Sequence, residues 1–175
     1  MRVLRAARAG KFFASINYTV QEQETSNKKR IADLSAVPEK GRILAIDPGT
    51  KRCGLAVCDE LRIAVRPLKR LNRTSWKKLL SKIKELVAEY DAVAVVVGLP
   101  LESDGSDAPM TIEARDIARK LALSLDIPVV LQDERVTSYE AKGRLWSAGK
   151  SVKEGRDLVD SEAAAIILES FLAES

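Results

Sequence analysis

The sequence predicts an α/β domain built on a mixed five-stranded sheet flanked by helices. Three observations carry that expectation. From Arg42 onward, short apolar runs alternate with segments at helical spacing. The first three runs follow one another too closely for helices to intervene, as antiparallel neighbours do. The later runs are separated by helix-length segments, as parallel strands must be. The predicted order is βββαβαβαα, a hairpin-built half joined to a parallel half by crossover helices.

Each element has its own signal. Ile43-Leu44-Ala45-Ile46 is a continuous apolar run, and Asp47-Pro48-Gly49-Thr50 is a turn by composition. Arg52 to Cys58 makes the second arm of a hairpin, and Ile63 to Leu71 a third strand whose Pro67 suggests a sheet edge or bulge. Thr74 to Tyr90 carries Trp76, Leu79, Leu80, Ile83, Leu86 and Val87 at helical spacing, with lysines on the other face. Ala92 to Val97 is unbroken apolar, as a buried parallel strand should be. Pro109 to Leu125 reads as a helix carrying Ile112, Ile117, Leu121 and Leu125 inward, and Pro128 to Leu131 as a fifth strand. Helices near Thr137–Ala148 and over Asp157–Ala173, the latter with Asp157 as a candidate N-cap, complete the series.

Two absences prune the chemistry. There is no histidine, which excludes Ser-His-Asp triads, Cys-His pairs and His-ligated metal. Cys53 and Cys58 are the only cysteines, and five residues apart on a strand they point to opposite faces, as small core residues would. Proton chemistry or metal binding therefore rests on Asp and Glu. No apolar run approaches the roughly 18 residues of a membrane span.

The net charge of +4 hints at a polyanion, but its distribution is uneven. Residues 1–42 hold nine Lys/Arg against four Asp/Glu, and residues 43–175 hold twenty against twenty-one. Residues 1–41 are accordingly expected to be a disordered basic extension, with an organelle transit peptide or a mis-assigned start as alternatives, and 42–175 the folded domain. A nucleic-acid footprint on that domain must come from local patches or bound metal.

Carboxylates stand where core elements meet loops. Asp47 follows the most apolar strand, Asp133 and Glu134 follow Val129-Val130-Leu131, and Asp160 heads a stripe of Ala163, Ala164, Ile167, Leu168 and Phe171. A plain role competes at each: a turn Asp, an exposed Asp-Glu-Arg loop paired through Arg135, a first-turn Asp favoured by the helix dipole. If the first strand lies centrally beside the later two, the carboxylates converge. Converging carboxylates repel unless they hold cations, and an all-oxygen donor set favours Mg²⁺ or Mn²⁺. Two such ions about 3.5–4 Å apart could activate water and stabilise the leaving oxygen of a phosphodiester.

Four segments in order resemble the motifs of the YqgF/RuvX family. They are Asp47-Pro48-Gly49-Thr50-Lys51-Arg52-Cys53-Gly54-Leu55-Ala56-Val57-Cys58-Asp59, then Val95-Val96-Val97-Gly98-Leu99-Pro100 with Asp104-Gly105-Ser106 after it. Asp133-Glu134-Arg135-Val136-Thr137-Ser138 and Val159-Asp160-Ser161-Glu162-Ala163-Ala164 follow. Members are described as Holliday-junction resolvases or pre-16S ribosomal RNA nucleases. The resemblance, over residues 42–173, implies a ribonuclease-H-like fold and metal-dependent nuclease chemistry in the cytoplasm. It implies Asp47, Glu134 and Asp160 as catalytic residues, and these with Asp133 as ligands of Mg²⁺ or Mn²⁺. Thr50, Arg52, Gly98 and Arg135 are expected to bind substrate, the two arginines as bidentate phosphate donors, with the loop from Gly98 to Asp107 bordering the groove. Gly54 interrupts a strand where backbone can approach closely. Glu162 departs from the family pattern, standing where an apolar residue is usual.

The implied substrate is structured RNA, the 5′ end of the small-subunit rRNA precursor, with ribosomal particles as partners and a monomer or weak homodimer as the acting form. Holliday-junction cleavage of branched DNA needs two opposed sites. A non-catalytic RNA-binding module is a further alternative. The actin-like ATPases share a similar Asp-Pro-Gly-Thr-Lys turn but need a second lobe, for which the chain from Ile43 is too short.

Overall fold

The computed structural model describes residues 31–135 and 156–175. Five strands form one sheet: β1 (Ile43–Pro48), β2 (Arg52–Cys58), β3 (Val65–Asn72), β4 (Ala94–Leu99) and β5 (Val129–Asp133). Helices α1 (Trp76–Glu89), α2 (Pro109–Ser124) and α3 (Arg156–Glu174) pack on it. The strand order is β3-β2-β1-β4-β5, with β1–β2 and β2–β3 antiparallel and β1–β4 and β4–β5 parallel. The hairpin half and the parallel half thus meet at β1, the central strand, as the element pattern predicts. The helix expected near Thr137–Ala148 lies outside the described residues.

The sheet is covered on both faces, which is why β1 and β4 read as unbroken apolar runs. Leu44, Ile46, Val95 and Val97 face α1 and α2, meeting Leu79, Ile83, Ile117 and Leu121. Ile43, Ala45, Ala94 and Val96 face α3, meeting Ala164, Ile167, Leu168 and Phe171. Cys53 joins the first cluster and Cys58 the second, so the two thiols do point to opposite faces. Burial pushes the Cys53 thiol up to about 12, in keeping with an inert core residue. Burial also raises the Cys58 thiol, whose Sγ accepts a hydrogen bond from the Ile43 amide at 3.2 Å.

β3 is an edge strand, and Pro67 sits in it, where a missing N–H does least harm. α1 begins at an N-cap Ser75, whose hydroxyl accepts from the Lys78 amide. Two expectations need correction. Ile112 is 62% exposed: the buried face of α2 runs through Thr111, Ala114, Ile117, Ala118, Leu121 and Ala122, and Ile112 stands five residues from Ile117, off that stripe. Asp157 is already inside helix α3 and not its cap, although an acid in a first turn is still favoured by the helix dipole. The packed chain also starts before Arg42. Ile31 joins one core cluster, Ala32 and Val37 the other, and the Ala32 amide donates to the Val129 carbonyl at 2.7 Å.

Candidate active site

Asp47 belongs to β1 itself. The strand runs one residue beyond it, and Asp47 pairs across to Gly54 of β2. Alternation from Ala45 places Asp47 on the α3 face. Gly54 stands where the β2–β3 register slips, the bulge that a glycine within a strand announces. The β1–β2 turn closes through the Gly49 amide on the Asp47 carbonyl at 3.1 Å. A side chain at Gly49 would lie 2.8 Å from the Arg52 carbonyl, so only glycine allows this approach. The result is an open cleft of about 360 Å³ lined by Asp47, Gly49, Thr50, Lys51, Arg52 and Gly54. Thr50 and Arg52 are exposed at its rim beside the carboxylate.

Glu134 reaches the same face from two strands away. Its amide donates to the Leu99 carbonyl at 3.2 Å, extending the β4–β5 ladder by one step. Its side chain lies over Gly98, where a Cβ would overlap Oε1 and come within 2.6 Å of Ile167 Cδ1. Gly98 is therefore a seat for the carboxylate, and Ile167 of α3 closes it from above. Burial pushes the Glu134 carboxyl up to about 7, and the negative charges of Asp47 and Asp133 add to that. A carboxyl held this way can keep a proton near neutral pH or give it up to a nearby cation.

Asp133, one residue earlier, is in the opposite condition. Its oxygens take the Arg135 guanidinium at 2.7 and 3.0 Å and the Arg135 amide at 2.9 Å. These bonds hold its carboxyl below the usual range. The loop after β4 closes towards Arg135. Leu101 bridges Asp107, the Gly105 amide donates to Glu102, and a Cβ at Gly105 (φ +85°) would stand 3.0 Å from an Arg135 nitrogen. The segment from Gly98 to Asp107 is thus a closed turn beside the site, with Asp104 accepting from the Ser106 amide at 2.9 Å.

Asp160 lies in α3, the helix that crosses the face holding Asp47 and Glu134. Four, seven, eight and eleven residues beyond it, Ala164, Ile167, Leu168 and Phe171 are buried against that face. The Asp160 side chain falls outside the described ones. Ser161 is buried, and its hydroxyl donates to the Leu68 carbonyl at 2.5 Å, tying the start of α3 to the edge strand. Ala163 and Glu162 are half-buried.

Sequence reasoning missed Arg73 and Glu113. Arg73 follows β3, and its guanidinium donates to the Gly49 carbonyl at 2.6 Å and to Glu113 Oε1 of α2, while its amide donates to Lys51 at 3.0 Å. One residue thus holds the cleft turn by two carbonyls. Arg73 is forty positions from Glu113, and no local pattern signals the pair.

Residues 41–174 match the model of a family described as "RuvX: Holliday junction resolvase". A protein of Anaeromyxobacter sp. (strain K) named "Putative pre-16S rRNA nuclease" is 43% identical over 75% of this chain and 96% of its own. One of the same name from Syntrophus aciditrophicus is 39% identical over 75% and 87%. Among solved structures, Thermus thermophilus RuvC in complex with a Holliday junction substrate is 18% identical, with a TM-score of 0.49 over 77% of this chain and 95% of that one. The four motifs fall within the matched span, and three of them, through Asp47, Gly98 and Glu134, meet on one face of the mixed five-stranded sheet: the chain belongs to the YqgF/RuvX family.

Proposed function

We propose that this chain is a metal-dependent nuclease that hydrolyses nucleic-acid phosphodiesters, with the 5′ end of the pre-16S rRNA as its substrate. The observation that carries the reading is the Glu134 carboxylate seated over Gly98 on the face that bears Asp47. Burial and the like charges of Asp47 and Asp133 oppose its ionisation, the condition under which a bound cation would favour the carboxylate. The names of the relatives support the substrate.

The donor set fits a hard divalent cation. It is all oxygen, with no histidine in the chain, and the missing Cβ of Gly98 makes room for the Glu134 carboxylate. Asp47, Glu134 and Asp160 are the residues to hold Mg²⁺ or Mn²⁺. Asp133, expected as a fourth ligand, alternates to the other face of β5 and is held there by Arg135, so it stands beside this set and not in it. When bound, the cation supplies an activated water and offsets charge on the leaving oxygen.

The chain's own groups do the rest. Thr50 and Arg52 bind the phosphate at the rim of the cleft, Arg135 takes it from the other side, and the turn from Gly98 to Asp107 limits access. Asp47 and Glu134 oppose the substrate's charge in the metal-free protein, so substrate and cation bind together. The catalytic unit is the domain from Arg42 on, with residues 31–41 strapped to it, acting in the cytoplasm as a monomer or weak homodimer on ribosomal precursor particles. Among the described residues, no helix is long and apolar enough to cross a membrane.

The test is incubation of purified protein with Mn²⁺ or Mg²⁺ and two labelled substrates, a precursor-rRNA fragment and a four-way DNA junction, beside an Asp47→Asn variant. Metal-dependent cutting of the RNA, lost in the variant, is the expected result. Preference for the junction would move the substrate to branched DNA, and cutting that survives in Asp47→Asn would remove Asp47 from the site.

A further inference from the structure

The charge of the domain is segregated to a degree that net charge conceals. Between Glu60 and Glu85 the chain carries nine Lys/Arg and no Asp or Glu. The rest of residues 43–175 carries eleven against twenty-one, a net of −10. The basic stretch is β3 and the first turns of α1, hence the outer edge of the sheet and the helix that follows it.

Its placement is as telling as its charge. Arg52, at the rim of the cleft, pairs with Asn72 at the end of β3, so the edge strand starts its run beside the candidate active site. From Asn72 back to Arg66 the strand covers about 20 Å, at roughly 3.3 Å per residue. Arg66 and Lys69 are exposed along it, and Lys77 and Lys78 are exposed where α1 begins, close to the same end. Among the described residues, Lys69, Lys77 and Lys78 make no ion pair. The cations of α2 differ: Arg115 pairs with Asp107, and Arg119 and Lys120 both pair with Asp116.

Edge strands are commonly protected by lysine, and one or two would serve that end. Protection of an edge does not explain why the cations continue into the exposed face of α1, or why every acid is kept out of 24 consecutive residues in an otherwise acidic domain. We infer that the β3 edge and the start of α1 form a track for the phosphodiester backbone of the substrate, gripping the strand several phosphates away from the bond that is cut. The track rests on the nucleic-acid reading above and adds to it the path the strand takes out of the cleft. Backbone grips of this kind position a strand without reading its bases. In a domain acidic elsewhere, such a strip offsets the repulsion that a polyanion would meet.

The experiment measures binding of a fluorescein-labelled RNA stem-loop, and of a DNA duplex of equal length, by anisotropy at a series of KCl concentrations. Full-length Asp47→Asn protein is used so that the probe is not cut. In that background, Lys69→Gln with Lys77→Gln is compared with Arg115→Gln with Arg119→Gln. The track variant is expected to weaken binding and to make the slope of log K against log[KCl] shallower by about 2, or about one for each phosphate no longer held. The α2 variant, whose charges are already offset, should leave both unchanged. An unchanged slope in the track variant, or an equal fall in the α2 variant, overturns the track. RNA and duplex DNA losing affinity alike supports a grip on the backbone; a loss confined to one of them overturns it. A wild-type protein that binds with the expected slope but cuts neither substrate with any divalent metal would sink the nuclease reading and leave the track in place.

Discussion

The two faces of the sheet end in charged groups of opposite character. On the face covered by α1 and α2, charges are matched: Arg73 lies between Glu113 and the Gly49 carbonyl. Asp133 at the end of β5 is likewise held by Arg135. On the face covered by α3, Asp47 and Glu134 share one sign, and Glu134 sits where burial resists its ionisation. Neighbours in sequence, Asp133 and Glu134 are displaced in opposite directions, one held down by a guanidinium and one pushed up to about 7. Matched charge here holds the architecture together, while like charges gathered on one face raise a carboxyl and mark a candidate site.

Glu134→Gln should break that contrast most completely. In the metal-free protein the Glu134 carboxyl titrates near 7 when folded, against an ordinary value of 4.5. Between these values the folded chain holds a proton that the unfolded chain has released, so stability falls as pH rises from 4.5 to 7 and the penalty is complete above it. The glutamine removes that slope. With chelator present at pH 8 the variant should be more stable than wild type by about 1–2 kcal/mol, a figure reduced for partial solvent screening. The same variant should lose cleavage. Thermal melts across pH and a cleavage assay measure both, and a variant less stable at pH 8 would make Glu134 a structural residue.

Gly98→Ala sharpens the comparison by moving the carboxylate without removing it. The new methyl would overlap Glu134 Oε1 and press on Ile167 Cδ1. A displacement of about 1 Å at a reacting centre costs on the order of a hundredfold in rate, and overpacking costs about 1–3 kcal/mol in stability. Adding Ile167→Val, which removes Cδ1, should return part of the stability and none of the activity. Recovery of both together would mean that Gly98 serves only packing.

How much of this was legible depended on whether a signal was local. The continuous apolar texture of β1 and β4 required both faces to be covered, and Pro67 placed β3 at the edge. The spacing of Cys53 and Cys58 assigned them to opposite faces, as their two clusters show. The clasp of Arg135 on Asp133 was equally open to a reading of the sequence, because the partners are two residues apart. Ile112 was misplaced because an isoleucine at near-helical spacing looks like core, while the stripe that is buried runs through small residues, Ala114, Ala118 and Ala122. The seat of Glu134 was not legible. Gly98 is a strand residue 36 positions away, and nothing in its surroundings says which side chain its missing Cβ makes room for.

Arg73 is the sharpest case of that last kind, and it yields the smallest predicted effect. In sequence it is one more cation in a basic stretch; in the fold it reaches Gly49, Lys51 and Glu113, and so fixes the turn that carries Thr50 and Arg52 beside Asp47. It touches the turn and acts through it, which makes it a positioning residue. Arg73→Ala should lower kcat by about tenfold through misplacement of the turn, with a smaller change in KM. Lysine cannot bond the carbonyl and the carboxylate with one planar fork, so Arg73→Lys should restore little. Glu113→Gln, which keeps an acceptor but removes its charge, should fall between wild type and Arg73→Ala. A purely structural Arg73 would instead lower the melting temperature of every variant in proportion to its activity, and would leave kcat and KM of the folded fraction at wild-type values.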